Sequence, residues 1–153
     1  MLAWRISLEK HALERTGKGA EIYGGRWNLK GTAAIYAGLT PEIAALEKLV
    51  HTSQILPELV LVEITLPDDN KLYIRPTKEN LPTDWDALPS SNTSAKFGEN
   101  FLSECKFLGL IIPSAIMPEA FNIVVNPSHS KFKEVNIKII RKFEFDSRLF
   151  NKA

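Results

Sequence analysis

Apolar residues in this chain come in short runs, and the runs are separated by breakers rather than by helices of regular length. The richest, Leu59–Leu66 (LVLVEITL), reads as a strand ended by Pro67 and the turn cluster Asp68-Asp69-Asn70. Ala3–Ile6 and Ala33–Ala37 read as two shorter strands, and Lys71–Arg75 as the partner of the Leu59 strand. Gly109–Ile112 and Phe121–Val125 are two more. In Val135–Phe145, Val135, Ile137 and Ile139 alternate, then Phe143 and Phe145 resume after a slip near Ile140 that predicts a β-bulge. Two segments carry helical spacing. Thr40 offers an N-cap hydroxyl, Pro41 suits the first helical position, and Glu42 faces the positive end of the dipole. Ile43, Ala44, Leu46 and Val50 then form an apolar stripe running to about Ser53. The second helix is predicted over Ala95–Phe107. Leu8–Gly24 reads as loop with one helical turn, and Leu81–Ser94 as an irregular surface crossing. Strands outnumber helices, and neighbouring strands are not joined by regular crossover helices. The expected class is α+β, with mixed β-sheets and flanking helices.

Composition narrows the function classes. A chain of 153 residues with 44% hydrophobic content can bury about 70% of its unfolded surface, so one domain over residues 1–153 is expected. Its longest apolar runs, Leu59–Val62 and Leu108–Ile112, fall far short of the roughly 20 residues a membrane span requires. Met1–Lys10 has no signal-like apolar stretch, so the expected compartment is the cytoplasm. A formal net charge of +1 gives no electrostatic case for direct nucleic-acid binding. The basic residues gathered toward the end are interrupted by Glu134, Glu144 and Asp146, as on a solvated strand face. The single cysteine, Cys105, excludes an internal disulfide and reads as a small core filler. His11, His51 and His129 are far apart, and no metal is expected.

Several local strings carry chemistry. Gly17-Lys18-Gly19 matches neither a phosphate loop nor a dinucleotide fingerprint, because Ala20 and Ile22 stand where those motifs need other residues. Gly24-Gly25-Arg26-Trp27-Asn28 places an arginine behind two glycines. Such a string is either a tight turn with a surface arginine or a fork for a phosphate or carboxylate. Glu47 sits at the margin of the apolar helical stripe, where a carboxylate needs a partner. Ser114, in Ile112-Pro113-Ser114-Ala115, and Asn126, in Asn126-Pro127-Ser128-His129, each follow an apolar strand. With Arg5 and Tyr36 these groups could converge on a pocket. They could equally be structural: an Arg5–Glu47 ion pair, a core Tyr36, and a turn-capping Ser114.

In this order the strings resemble the RES domain family, the toxins of bacterial RES–Xre toxin–antitoxin pairs. The likeness runs through Trp4-Arg5-Ile6, Gly25-Arg26-Trp27-Asn28, Ile35-Tyr36-Ala37, Glu42, Ala44 and Glu47. It continues through Leu81-Pro82-Thr83-Asp84-Trp85, Gly98-Glu99-Asn100-Phe101, Ile112-Pro113-Ser114-Ala115 and Asn122. Asn126-Pro127-Ser128-His129 and Phe145-Asp146-Ser147-Arg148-Leu149 complete it. Glu99, Phe101 and Ile112 depart from the family's commoner residues while keeping their character.

The resemblance implies a fold similar to ADP-ribosyltransferases and an activity that degrades NAD, with NAD as substrate and no further cofactor. It also implies a homodimer and an Xre-family antitoxin that blocks the active site and makes any DNA contact. Glu47 would stabilise the oxocarbenium-like ribosyl centre as nicotinamide leaves. Arg5 and Arg26 would hold the pyrophosphate, and Tyr36 would stack on the nicotinamide. Ser114 would bond a ribose or amide group, and Asn126 would orient Glu47 or the substrate. Water, phosphate or a protein side chain could each accept the ADP-ribosyl group, giving a glycohydrolase, a phosphorylase or an ADP-ribosyltransferase. A binding module without turnover is the alternative outside enzymes.

Overall fold

The fold is that of a computed structural model, which describes residues 1–52 and 58–150. Seven strands form one mixed sheet: β1 (Leu2–Leu8), β2 (Ile35–Gly38), β3 (Leu59–Thr65), β4 (Tyr73–Ile74), β5 (Gly109–Pro113), β6 (Phe121–Val125) and β7 (Asn136–Phe143). Their order across the sheet is β4-β5-β6-β2-β1-β3-β7. Each pair is antiparallel except β4 with β5, which is parallel. Among the described residues three α-helices accompany it: α1 (Lys18–Tyr23), α2 (Pro41–Val50) and α3 (Asn92–Glu104). The expected α+β class with a mixed sheet holds. Among the described residues no helix is long and apolar enough to cross a membrane.

Strand alternation sorts side chains onto two faces. Ala3, Arg5 and Ser7 lie opposite Ile64, Val62 and Val60, so they share the face whose core contains Val60, Val62, Ile64, Ile35 and Ile123. The other face carries Trp4, Gly38, Asn122 and Ile112 in one cross-sheet row, and Tyr36, Val124 and Leu110 in the next. Its core includes Trp27, Trp85, Phe101, Leu110 and Val124. Under α2 lies a smaller cluster of Ile6, Leu59 and Leu61, with Trp4 and Ala45 packed against it.

The α2 boundary follows its sequence: Thr40 accepts a hydrogen bond from the Ile43 amide at 3.3 Å, and Pro41 opens the helix. Of the expected stripe, Ile43 and Ala44 are buried, whereas Val50 is 54% exposed, because only the first turns rest on the sheet. The helix ends at Val50 with His51 as its C-cap, short of the expected end near Ser53, which itself lies outside the described residues. The slip at Ile140 is present, since Val62 faces Ile139 while Leu61 faces Arg141. Lys138, Arg141 and Lys142 are exposed along β7, as a solvated strand face requires.

Three expectations are corrected. The 71–75 segment does not pair with β3. Its residues Tyr73 and Ile74 pair in parallel with Gly109 and Leu110, at the far edge of the sheet. The second long helix starts at Asn92 rather than Ala95, because Ser91 caps it by accepting from the Ser94 amide at 3.2 Å. It ends at Glu104, where Cys105 takes φ 49° as the left-handed C-cap. Cys105 is therefore exposed at a helix end rather than filling the core.

Candidate functional site

Glu47 follows Ile43 and Ala44 by four and three residues on α2, so it stands on the helical face turned to the sheet. The helix comes very close there. A Cβ on Gly38 would lie 2.5 Å from Ile43 Cγ2 and 2.8 Å from the Ala44 nitrogen, so β2 needs glycine at that crossing. The half-buried Glu47 carboxylate then meets two donors. Ser114 Oγ donates to Glu47 Oε1 at 2.8 Å, and Asn122 Nδ2 donates to the same oxygen at 2.6 Å. Glu47 Oε2 has no recorded bond among the described residues. The two carboxylate oxygens are thus unequal, one gripped and one open.

Ser114 is fully buried, immediately beyond β5. Besides donating to Glu47, its Oγ accepts from the amides of Ile116 at 3.1 Å and Met117 at 3.3 Å. One hydroxyl therefore joins the turn between β5 and β6 to the helix carrying Glu47. Its hydrogen-bonding capacity is filled, so Ser114 orients Glu47 instead of presenting a free hydroxyl to a ligand, as had been expected. Asn122 is the second residue of β6, two residues from Val124 and on the same face. Sequence reasoning placed it only within a family string. The signal that could have raised it is an amide inside an otherwise apolar strand, Phe-Asn-Ile-Val-Val.

Tyr36 sits opposite Val124 on β2, making it a diagonal neighbour of Asn122 at a spacing of roughly 7–8 Å. Its hydroxyl donates to Asn28 Oδ1 at 2.7 Å and accepts from the Trp27 amide at 3.0 Å. Burial pushes this phenol above its ordinary range, against the opposing pull of the Trp27 amide and the Arg26 guanidinium. Asn28 is itself buried and donates through Nδ2 to the carbonyls of Ala20, Leu29 and Thr32. The 25–28 turn is thereby fastened to the sheet. From the other side α3 presses on it: a Cβ on Gly98 would lie 2.0 Å from the Trp27 carbonyl oxygen. Glu99, one residue on, accepts from Thr32 Oγ1 at 2.6 Å and the Leu29 amide at 3.3 Å.

Arg26, half-buried, uses Nη1 to hold the Trp85 and Ala87 carbonyls at 2.8 and 2.9 Å. Among the described residues its Nε and Nη2 make no bond, so one edge of the guanidinium clamps the 85–87 loop and the other can meet an anion. A concavity of about 400 Å³ lies beside this turn, lined by Tyr23, Gly25, Lys30, Ser91 and Asn92 among others. Glu47 is not part of its wall.

Two expected site residues stand apart. Arg5 points to the opposite sheet face from Glu47, because it neighbours Trp4 on the strand. Its Nη2 donates to the Ala12 carbonyl at 2.8 Å, and its Nε is buried without a partner among the described residues. Burial lowers its pKa, partly offset by the Glu14 charge. The geometry brings Arg5 neither to Glu47 as an ion pair nor to Arg26 as a second phosphate fork. Asn126, at the other end of β6 from Asn122, is buried. Its Nδ2 donates to the Leu102 carbonyl at 2.8 Å, and its Oδ1 accepts from the Ser128 amide at 3.0 Å. It ties α3 to the turn after β6, and the amide that orients Glu47 is Asn122. Among the described residues no cluster of three or more His, Cys, Asp or Glu could hold a metal.

A family model described as the RES domain matches residues 2–146. A Sphingobium protein named Prs ADP-ribosylating toxin is 38% identical over 156 residues, covering 98% of this chain and 97% of its own length. A protein of Yersinia enterocolitica named Toxin Res is 38% identical over 153 residues, with 97% and 99% covered. Among solved structures, a chain of the M. tuberculosis MbcT–MbcA toxin–antitoxin complex superposes with a TM-score of 0.60 at 16% identity. It covers 97% of this chain and 86% of that one, a likeness of fold.

Proposed function

Because this chain belongs to the RES domain family, we propose that it is the toxin of a toxin–antitoxin pair and consumes NAD by breaking the nicotinamide–ribose bond. The observation that carries this reading is the asymmetric grip on Glu47. Two neutral donors fix Oε1 and leave Oε2 open. A carboxylate so oriented, with no cation bonded to it among the described residues, keeps its charge available for a positive centre. Loss of nicotinamide creates such a centre, an oxocarbenium-like ribosyl group, and a fixed anion beside it favours the transition state over the ground state.

The remaining groups support the substrate. The unoccupied edge of Arg26 suits a pyrophosphate, which a guanidinium fork binds through paired hydrogen bonds. Tyr36 offers an aromatic face near the site, while its hydroxyl is engaged in holding the 25–28 turn. Ser114 and Asn122 act through Glu47 as positioning residues. Arg5 supports β1 and the segment at Ala12 from the far side of the sheet and has no part in binding here.

The Sphingobium relative is named an ADP-ribosylating toxin, which favours transfer of ADP-ribose to a target, with water and phosphate as alternative acceptors. An Xre-type antitoxin is the proposed partner, covering the Glu47 side of the sheet. Incubating the purified protein with NAD, with and without phosphate, and separating the products tests the reading. Free nicotinamide is expected. Accompanying ADP-ribose, its phosphate ester or labelled protein identifies the acceptor. NAD left intact with every acceptor present, including extract of susceptible cells, would overturn the proposal.

A further inference from the structure

We infer that the concavity of about 400 Å³ beside the 25–28 turn is the pocket for the adenylate half of NAD, with the Tyr23 ring stacking on the purine and Lys30 meeting a phosphate oxygen. This rests on the NAD-consuming reading. A dinucleotide with its nicotinamide ribose at Glu47 and its pyrophosphate at the open edge of Arg26 must carry its adenosine beyond Arg26. Gly25, the residue before Arg26, is in the wall of this concavity. A Cβ there would lie 2.7 Å from the Tyr36 hydroxyl and 2.8 Å from Asn28 Oδ1, so only bare backbone fits at that point. The turn is thus a thin partition, with Tyr36 behind it and the open concavity in front.

Local folding brings the two recognition groups together. Tyr23 ends α1, whose C-cap Gly24 takes φ 71°, and the chain doubles back as the Gly25 amide donates to the Asn28 carbonyl at 3.1 Å. The Gly31 amide then donates to the Glu21 carbonyl at 2.8 Å, which returns Lys30 to the end of α1. There the Lys30 stem rests over Gly24, where a Cβ would lie 3.3 Å from its Cγ. Lys30 is the only charged residue in the wall, to which Ser90, Ser91 and Asn92 add neutral hydrogen-bonding groups. Tyr23 is 77% exposed and is the only aromatic side chain left exposed among the described residues. An open ring beside a lone cation, with no carboxylate in the wall, suits a flat aromatic base that carries a phosphate. Size agrees, because small-molecule pockets run from about 300 to 1,000 Å³. The cleft between α3 and the β4–β5 edge holds about 180 Å³, is lined by Phe97, Phe101 and Phe107, and has Glu104 as its one charged residue. It is too small for adenosine and has the wrong sign for a phosphate.

AMP carries the adenylate and lacks the nicotinamide–ribose bond, so it reads this pocket apart from the chemistry at Glu47. It is titrated by calorimetry into the wild type, Glu47→Gln, Tyr23→Ala, Tyr23→Phe and Lys30→Met, and nicotinamide release from NAD is measured beside it. AMP should bind the wild type and Glu47→Gln alike, and should compete with NAD. Tyr23→Ala and Lys30→Met should each weaken AMP by about three- to tenfold. Their KM for NAD should rise by a similar factor, the loss falling on KM rather than on kcat. Tyr23→Phe keeps the ring and should restore most of the AMP affinity. Both side chains lie at the surface, so an unchanged Tm is expected for every variant at these two positions. Nicotinamide release with which AMP does not compete would overturn this inference and leave the NAD reading intact. An AMP affinity unmoved by Tyr23→Ala and Lys30→Met would do the same. No nicotinamide release by the wild type would overturn the NAD reading and this inference with it.

Discussion

Removing the Ser114 hydroxyl probes how Glu47 is held, and its size can be worked from the contacts. Ser114→Ala deletes one hydrogen bond to a carboxylate and two acceptances from the Ile116 and Met117 amides. A bond to a charged group contributes about 1.5–3 kcal/mol. That figure is discounted here because Glu47 is only half-buried and keeps its bond from Asn122. The Ile116 and Met117 amides lose their acceptor in the same step, in a turn whose residues are 38% and 49% exposed. A net loss of about 1–2 kcal/mol is expected, which lowers Tm by roughly 3–6 °C in a domain of this size. Asn122→Ala should cost a similar amount. Because both donors meet one oxygen, their losses should not add: each single variant leaves Oε1 one donor, and the double variant leaves none. A double-mutant cycle read by denaturant unfolding, and separately by nicotinamide release, should show about 0.5–3 kcal/mol of coupling. Effects that add within about 0.5 kcal/mol in both assays would refute the shared-oxygen arrangement.

Other expectations follow from the same contacts. Arg26→Lys keeps the charge but loses the paired hold on the Trp85 and Ala87 carbonyls. Limited proteolysis should find faster cleavage near residues 85–88, together with weaker NAD binding by calorimetry. Gly98→Ala forces a Cβ onto the Trp27 carbonyl oxygen and should destabilise by at least about 1–3 kcal/mol, read as a lower midpoint in urea. The raised pKa of Tyr36, caused by burial, gives a pH dependence with a definite sign. The folded state holds this proton above pH 10, the ordinary phenol value, where the unfolded chain loses it. Stability present below about pH 10 should therefore fall as pH rises further, and Tyr36→Phe should flatten that decline in unfolding measurements.

Local signals made much of the architecture legible. The apolar runs became β3, β5 and β6, and the Thr40-Pro41 signature became α2. The broken alternation became the bulge at Ile140. What stayed hidden depends on distant partners. The 71–75 segment looked like the return strand of a hairpin, but its two-residue strand pairs with a segment over thirty residues away, a contact that no local pattern encodes. Ser91 read as part of a loop because the residue types that cap helices also make turns.

For the candidate site, Glu47 stood out in the sequence from its place on the stripe edge, and Arg26 and Ser114 from motifs at turns and strand ends. That Arg5 lies on the opposite sheet face from Glu47 was not legible, because strand parity relative to the sheet appears only once the register is known. Asn126 and Asn122 share strand parity and differ in position: Asn126, just beyond β6, is locked to α3, while Asn122, four residues earlier, is bonded to Glu47.

The proposed chemistry depends on the charge of one well-held carboxylate, and Glu47→Gln isolates that charge. The amide oxygen of the substituted side chain can still accept from Ser114 and Asn122, so the fold and the local geometry are retained. Nicotinamide release from NAD by this variant, beside wild type at matched Tm, is the direct measurement. A loss of about a hundredfold or more in kcat, with KM little changed, is the expected result. A folded Glu47→Gln protein that releases nicotinamide at the wild-type rate would contradict the catalytic role of that charge.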